Sequence, residues 1–266
     1  MSNTLTSQPT SSARSERLSR IRGYWDTFLH DQEMSTAPVG SPDWFGELAA
    51  YRYEKLDYLP RVVDFNGFAE RRLLEVGCGI GLDLARFARG GAQVTGIDLA
   101  PRAVALAQSY LGQQGLTGRV LEMNGEAMQF PDESFEVVYA HGVVQYTDQP
   151  EAMVAEIHRV LKPGGLAIGM LYHRDSWLMA MSRVTSVGLE HQGAPAFRTY
   201  GQDEARQLLG AFRSIRIVPE RFPVASKLHH GWKAAAYNRC FVPAFNALPK
   251  PLTRRWGWHL MIWAGK

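Results

Sequence analysis

Between residues 72 and 171 short apolar runs alternate with amphipathic stretches, and this alternation limits the possible folds more than any other feature of the sequence. Arg72–Val76 is an apolar run that ends in a glycine cluster, the mark of a buried strand. Leu82–Arg89 reads as a helix, residues 93–97 as a strand, and Pro101–Gln113 as a helix with proline in its first turn, where a missing N–H does no harm. Strands over 119–123 and 135–140, a helix over 151–161 stopped by Pro163 and Gly164, and a strand over 166–171 complete the series. Strands alternating with helices predict an α/β fold, a mostly parallel sheet with helices on both faces.

The flanks read differently. Residues 1–13, rich in Ser and Thr, form a flexible tip, and 14–71 a helical N-terminal cap. In the cap, Leu18, Ile21, Trp25 and Phe28 recur at helical spacing over 14–30, and a second helix covers 44–57. Residues 72–171 make the core. After Tyr172 the alternation breaks: 172–201 is an insertion or lid. Residues 202–266 finish the sheet, with a helix over 203–211, strands over 214–218 and 259–263, and a second insertion over 222–255. Two cysteines in 266 residues exclude a disulfide scaffold and suit a cytoplasmic location. No run of 18 apolar residues exists to span a membrane, and no secretion signal is visible in the first 15 residues.

The chemistry concentrates after the first strand, at Glu75-Val76-Gly77-Cys78-Gly79-Ile80-Gly81. Glycines there let the backbone approach a ligand, and the following helix points N–H groups at it. Asp98 closes the next strand, 23 residues beyond Glu75, where an acid grips ribose hydroxyls. The ligand is therefore a nucleoside or nucleotide. A dinucleotide fits poorly, because Leu82 stands where that fingerprint needs its third glycine. Glu75 is wrong for a pyrophosphate but right for an ammonium group, so a ligand with a ribose end and an amino-acid end fits best. Cys78, flanked by glycines, reads as packing, and Asp83 at a helix start is explained by the helix dipole.

Taken together, L-L-E-V-G-C-G-I-G, V-T-G-I-D-L-A, F-E-V-V-Y-A-H-G-V-V-Q-Y and R-V-L-K-P-G-G resemble, in that order, the class I S-adenosylmethionine-dependent methyltransferases, in particular the group containing ubiquinone- and menaquinone-pathway enzymes. The resemblance covers about residues 72–170 and implies a Rossmann-like, seven-stranded sheet of order 3-2-1-4-5-7-6 with its last strand antiparallel. It implies S-adenosylmethionine as cofactor, S-adenosylhomocysteine as product, and no metal. By the same likeness Gly77, Cys78, Gly79 and Gly81 line the methionine part, Glu75 helps hold the amino group, Asp98 takes the ribose hydroxyls and Leu99 packs on the adenine. Asn124, Gly125 and Glu126 occupy the adenine-edge position, with Asn124 where the family often has Asp, and His141 faces the cofactor.

The implied reaction is methyl transfer to a small-molecule nucleophile by in-line displacement, which mainly needs proximity and alignment. The family layout nominates His141, His173 and Tyr24 as catalytic, and Trp25, Gln145, Tyr146, Tyr172, His191, Arg198 and Tyr200 as the acceptor pocket. Histidines and tyrosines there lean toward an acceptor that loses a proton, a small thiol or hydroxyl. Two rivals stay open: C- or O-methylation of a lipid-like quinone precursor, and a non-catalytic sensor or partner subunit that only binds the cofactor. No C-x-x-C or H-E-x-x-H spacing suggests a metal, and the adjacent pair His229-His230 reads as surface or pocket rim.

Net charge is +3, too mild to indicate nucleic acid. Its distribution is uneven: residues 221–266 carry eight basic and no acidic side chains, among many aromatics. A lid over the acceptor, with its charges solvated, is the first reading. Peripheral membrane contact through 221–258 is the second, and nucleic-acid binding the third. The oligomeric state is left open.

Overall fold

A computed structural model describes residues 11–184, 189–225 and 231–266. The first ten residues of the tip and the pair His229-His230 lie outside the described residues. Ahead of the sheet come α1 (Ser11–Thr27), α2 (Pro42–Lys55) and α3 (Leu59–Val62). The Ser41 side chain caps α2 by accepting the Trp44 N–H at 3.2 Å, and Pro42 fills the first turn. α1 starts three residues earlier than the periodicity suggests, inside the stretch expected to be tip.

The alternating core comes next as β1 (Arg72–Val76), α4 (Leu82–Arg89), β2 (Gln93–Asp98), α5 (Pro101–Gln113), β3 (Gly118–Glu122), β4 (Phe135–His141), α6 (Pro150–Val160) and β5 (Leu161–Tyr172). Then come α7 (Trp177–Val184), α8 (Gln202–Leu208) and β6 (Ser214–Glu220). α9 (Trp232–Ala236), a π-helical stretch Tyr237–Phe241, α10 (Val242–Ala247) and α11 (Lys250–Thr253) lead into β7 (His259–Gly265).

The seven strands order as β3-β2-β1-β4-β5-β7-β6, with β7 antiparallel to both neighbours, the topology that the motifs implied. β5 begins five residues earlier than expected. Leu161 pairs with Phe135, and a register shift between Phe135 and Val137 absorbs the Lys-Pro-Gly-Gly turn, where Gly164 takes φ +76°.

Alternation along the central strands builds two cores. Leu73, Val137, Tyr139 and Ile168 pack with residues of α2 to α5, among them Trp44, Phe45 and Phe87, all essentially inaccessible. Leu74, Val138, Ala140 and Ile262 pack with Met153, Val154 and Ile157 of α6 and Ala205 of α8. Each large side chain so buried contributes roughly 1.5–3 kcal/mol.

The antiparallel entry of β7 shapes one wall of the cavity. Its first residue, His259, pairs with the last residues of both neighbours, Tyr172 of β5 and Glu220 of β6. Side chains far apart in sequence are thereby gathered at the edge of the sheet where β1 and β2 deliver Gly77 and Asp98.

Candidate functional site

A cavity of about 220 Å³ opens at this edge. Its floor is the loop after β1. Gly77, Gly79 and Gly81 all have positive φ, at +69°, +52° and +82°. A Cβ on Gly77 would meet the Val143 side chain at 2.6 Å, and one on Gly81 would meet Ala107 at 3.0 Å. A Cβ on Gly79 would meet nothing within 4 Å, so this glycine keeps a space open rather than a contact close. The Gly77 and Cys78 amides donate to Ile97 O at 2.8 and 3.0 Å, which fixes the loop to the end of β2.

Two acids line the floor. Asp98 accepts the Gly79 N–H and the Ala100 N–H, each at 2.9 Å, and burial raises its pKa. Glu75 is 4% exposed, and its Oε2 has no hydrogen-bond partner. Burial, reinforced by Asp83 and Asp98, pushes its carboxyl well above the usual range against the opposing pull of Arg52. A buried carboxylate oxygen left unpaired beside an open space is a costly arrangement unless a cation comes to it.

Above the floor a chain of polar contacts crosses the wall. Arg221 Nη1 lies 3.0 Å from His259 Nε2, His259 Nδ1 lies 2.6 Å from Tyr58 Oη, and Tyr58 Oη lies 3.3 Å from His141 Nε2. A guanidinium has only donors. His259 Nε2 must therefore accept, so Nδ1 carries the proton and donates to Tyr58, whose one hydroxyl proton has two acceptors in reach, His141 Nε2 and Met261 Sδ at 3.8 Å. Burial, with Arg52 and Arg221 nearby, lowers His141 to about 3. Burial and Arg221 likewise push His259 well down. Both rings are neutral at physiological pH. Arg221 in turn donates to Glu190 at 2.8 Å, and Lys55 bridges Glu190 and Asp31 at 3.1 and 2.7 Å.

Over residues 74–169 the chain matches the family model described as a methyltransferase domain. A ubiquinone biosynthesis O-methyltransferase of Cereibacter sphaeroides is 38% identical over 117 residues, 44% of this chain and 47% of the relative. A sterol 24-C-methyltransferase of Gibberella zeae is 37% identical over 100 residues, 36% of this chain and 26% of the relative. The chain thus spans less than half the length of these curated relatives. A Thermotoga maritima structure described as an S-adenosylmethionine-dependent methyltransferase covers 92% of this chain, and the match takes in 99% of that structure, at TM-score 0.59 and 20% identity. A [4+2]-cyclase, SpnF, shares the fold at TM-score 0.51 and 19% identity, over 82% of this chain and 79% of that one. The fold is therefore that of the class I methyltransferases, as the motifs implied.

The sheet edge and the N-terminal cap bring most of the nominated residues to the cavity: Glu75, Gly77, Cys78, Gly79, Asp98 and Leu99 on the floor, then Asn124, Gly125, Glu126 and His141, and Trp25, Tyr146 and Tyr172 at the far end. Some do other work. The Asn124 Oδ1 accepts the Glu126 N–H at 2.9 Å. Glu126 itself is an anchor: one oxygen takes the Thr147 hydroxyl and the backbone N–H groups of Asp148 and Gln149, the other the Arg14 guanidinium. Burial raises the Cys78 thiol well above its usual range, which leaves it a packing residue.

Other nominees fall outside the cavity lining. His173 comes directly after Tyr172 of β5 and so points to the opposite face, where its Nδ1 meets Gly257 O at 2.9 Å. Arg198 donates to the carbonyls of Thr147 and Asp148, and Tyr200 pairs with His173 in an isolated bridge. Gln145 is fully buried beneath the wall. Tyr24 and His191 bind each other at 3.1 Å behind Trp25. Gly81 initiates α4 in the left-handed region and does not line the cavity.

Sequence reasoning missed Arg52, Lys55, Tyr58, Glu190, Arg221 and His259. Asp83 is more than an acid favoured by the helix dipole. It is 2% exposed and accepts from Arg52, Tyr53 and Tyr139 at 2.9 Å each. Although burial opposes it, the Arg52 guanidinium holds its carboxyl down to about 2. An Arg and two Tyr on elements distant in sequence gave no signal; a helix-start Asp among buried positions was the sole hint.

Proposed function

We propose that this chain transfers the methyl group of S-adenosylmethionine to a hydroxyl oxygen of a small, ring-bearing acceptor. The observation that carries the reading is the unpaired Oε2 of buried Glu75 beside the open space over Gly79. That pairing suits the ammonium group of an amino-acid end. Asp98 would take the ribose hydroxyls and Leu99 would lie on the adenine, with Asn124 and Gly125 at the adenine edge. When bound, the cofactor supplies a methyl group whose bond to sulfur breaks as the bond to the acceptor forms.

The chain's own residues align the acceptor and receive its proton. Trp25, Tyr146 and Tyr172 give flat apolar walls for a ring. His141 is neutral, and its contact from Tyr58 is long at 3.3 Å, so an acceptor hydroxyl competes for Nε2. A base held near pKa 3 is weak toward a free phenol. An oxygen already gaining a carbon is strongly acidic, and such a base still takes its proton. Tyr58, His259 and Arg221 are positioning residues that fix which nitrogen of His141 accepts. The name of the O-methyltransferase relative supports oxygen over the thiol that the sequence left open.

A second reading, favoured by the apolar lining from Leu18, Ile21 and Phe28 of the cap, is C- or O-methylation of a lipid-like quinone precursor. A transfer assay with methyl-deuterated S-adenosylmethionine and a panel of phenols, quinols, thiols and amines tests all of this. Label on an oxygen of a small phenol supports the proposal, and label on carbon, or on an oxygen of a lipid-tailed quinol alone, the second reading. Label on sulfur or nitrogen overturns both. Cofactor binding by heat shift with no labelled product on the panel or in a cell extract leaves the sensor or partner-subunit reading standing.

A further inference from the structure

The C-terminal insertion carries a surface that methyl transfer does not use. Among the described residues seven large apolar side chains are strongly exposed, and five of them fall between residues 224 and 256. Trp232 is 77% exposed, Leu252 60%, Leu248 46% and Trp256 36%. Leu248, Leu252 and Trp256 recur every fourth residue. This clustering is unlike the scattered single exposures normal for a protein surface.

Folding alone does not account for it. The stretch from α9 to α10 already half-buries an aromatic stripe. Tyr237, Phe241 and Phe245, also four apart, pack on Trp177 of α7 with ring centroids 6.0–6.4 Å away. The opposite side of the same helices presents Trp232, Ala236, Arg239, Pro243 and Ala247, all exposed. A helical segment apolar on both sides, with one side in solvent, fits a second apolar phase.

Charge selects the phase. Arg239, Arg254 and Arg255 are exposed within the same segment, with the Arg255 guanidinium 4.9 Å over the Trp256 ring, and residues 221–266 hold no carboxylate side chain. Interfacial Trp with Leu for the acyl boundary, and Arg for headgroups, is the composition of a segment lying in a bilayer surface. Nucleic acid would need bases to stack, yet Leu248 and Leu252 offer no ring.

We propose that residues 232–256 dock the protein on an anionic lipid bilayer surface, with Trp232, Leu248, Leu252 and Trp256 in the headgroup–acyl boundary and Arg239, Arg254 and Arg255 on lipid phosphates. The surface adjoins the cavity: Arg221 O accepts the Trp177 Nε1–H at 3.0 Å while its guanidinium lines the cavity wall. The inference stands apart from the proposed methyl transfer, since lipid binding is measured without turnover.

Flotation of the full chain with phosphatidylcholine vesicles, with and without phosphatidylglycerol, tests it. Binding is expected only with phosphatidylglycerol, and is expected to fall as salt rises. The pair Arg254→Glu and Arg255→Glu should weaken it on the order of tenfold or more, since each basic residue near the surface counts several-fold. Leu252→Ser with Trp232→Ser should weaken it similarly while leaving the melting temperature and cofactor-induced heat shift unchanged. Brominated lipid should quench tryptophan fluorescence less in Trp232→Phe than in the unaltered chain. Failure to float with phosphatidylglycerol at low salt overturns the proposal. So does equal flotation of the charge-reversed and unaltered proteins, or tighter binding to single-stranded RNA than to these vesicles.

Discussion

Glu75 is a residue whose stability and functional demands oppose each other. Its folded pKa is raised, so between its unfolded value and that raised value the native state holds a proton the unfolded state has released. Stability therefore falls as pH rises through this window, and the full penalty is present above it. Glu75→Gln should raise the melting temperature at pH about 8, by about 2–4 °C for each kcal/mol relieved. The same variant should bind S-adenosylmethionine at least about tenfold more weakly by calorimetry, because a charge-assisted contact is lost. Unaltered affinity would remove Glu75 from the cofactor site. At His141 the expected split is different. His141→Asn should lower turnover about 10²-fold or more without changing cofactor affinity. With the ring held near 3, the turnover of the unaltered protein should not titrate on His141 between pH about 5 and about 8. A protonation step near 6.5 that His141→Asn removes would contradict the assigned neutral ring.

At the scale of elements, α1 is tied to the rest mainly through polar contacts. Among its described residues Ile21 alone is buried, and Arg14, Arg17 and Arg22 hold it to Glu126, Asp148 and Glu122. Ion pairs with such exposed arginines contribute about 0–1 kcal/mol each. Yet Leu18, Ile21 and Trp25 of this helix, with Phe28 just beyond it, close one side of the cavity. Native-state hydrogen exchange should find α1 amides opening far more readily than those of β1 and β4, with S-adenosylmethionine slowing α1 by about tenfold or more. Protection of α1 equal to that of β4 in the free protein would mean the cap is rigid. β7 plays the opposite part. Flanked by β5 and β6, it delivers His259 to the cavity from the far end of the chain, and Tyr58 arrives on the short approach to α3, which periodicity did not reveal.

For the whole molecule, the buried titrating groups pull in two directions. His141 and His259 have folded pKa values below the unfolded 6.5, so the unfolded chain takes up protons first as pH falls. Each contributes stability present above pH 6.5 and lost below it, with a slope approaching about 1.4 kcal/mol per pH unit. Glu75 acts in the reverse sense toward alkaline pH. The windows overlap above the ordinary carboxyl value, where two rings outweigh one carboxyl, so denaturant unfolding should show a stability maximum near pH about 6.5, with the acid limb flattened in His259→Asn and the alkaline limb flattened in Glu75→Gln. An acid limb unchanged in His259→Asn would show that this ring is already protonated in the folded state.

What the sequence determined was local. Strand–helix alternation, the glycines after β1 and the acid ending β2 are read within a few residues of one another, because backbone conformation and helix-end chemistry act over that range. They were enough to place the sheet, the loop and Asp98. The polar wall was decided by tertiary structure. Tyr58, Glu190, Arg221 and His259 lie on four separate segments, and a hydrogen bond between them depends on strand register and the antiparallel entry of β7, which no spacing along the chain encodes. The same cause removed His173. One residue of strand phase turns a side chain from the cavity to the opposite face, and only the settled register of β5 against β7 fixes that phase.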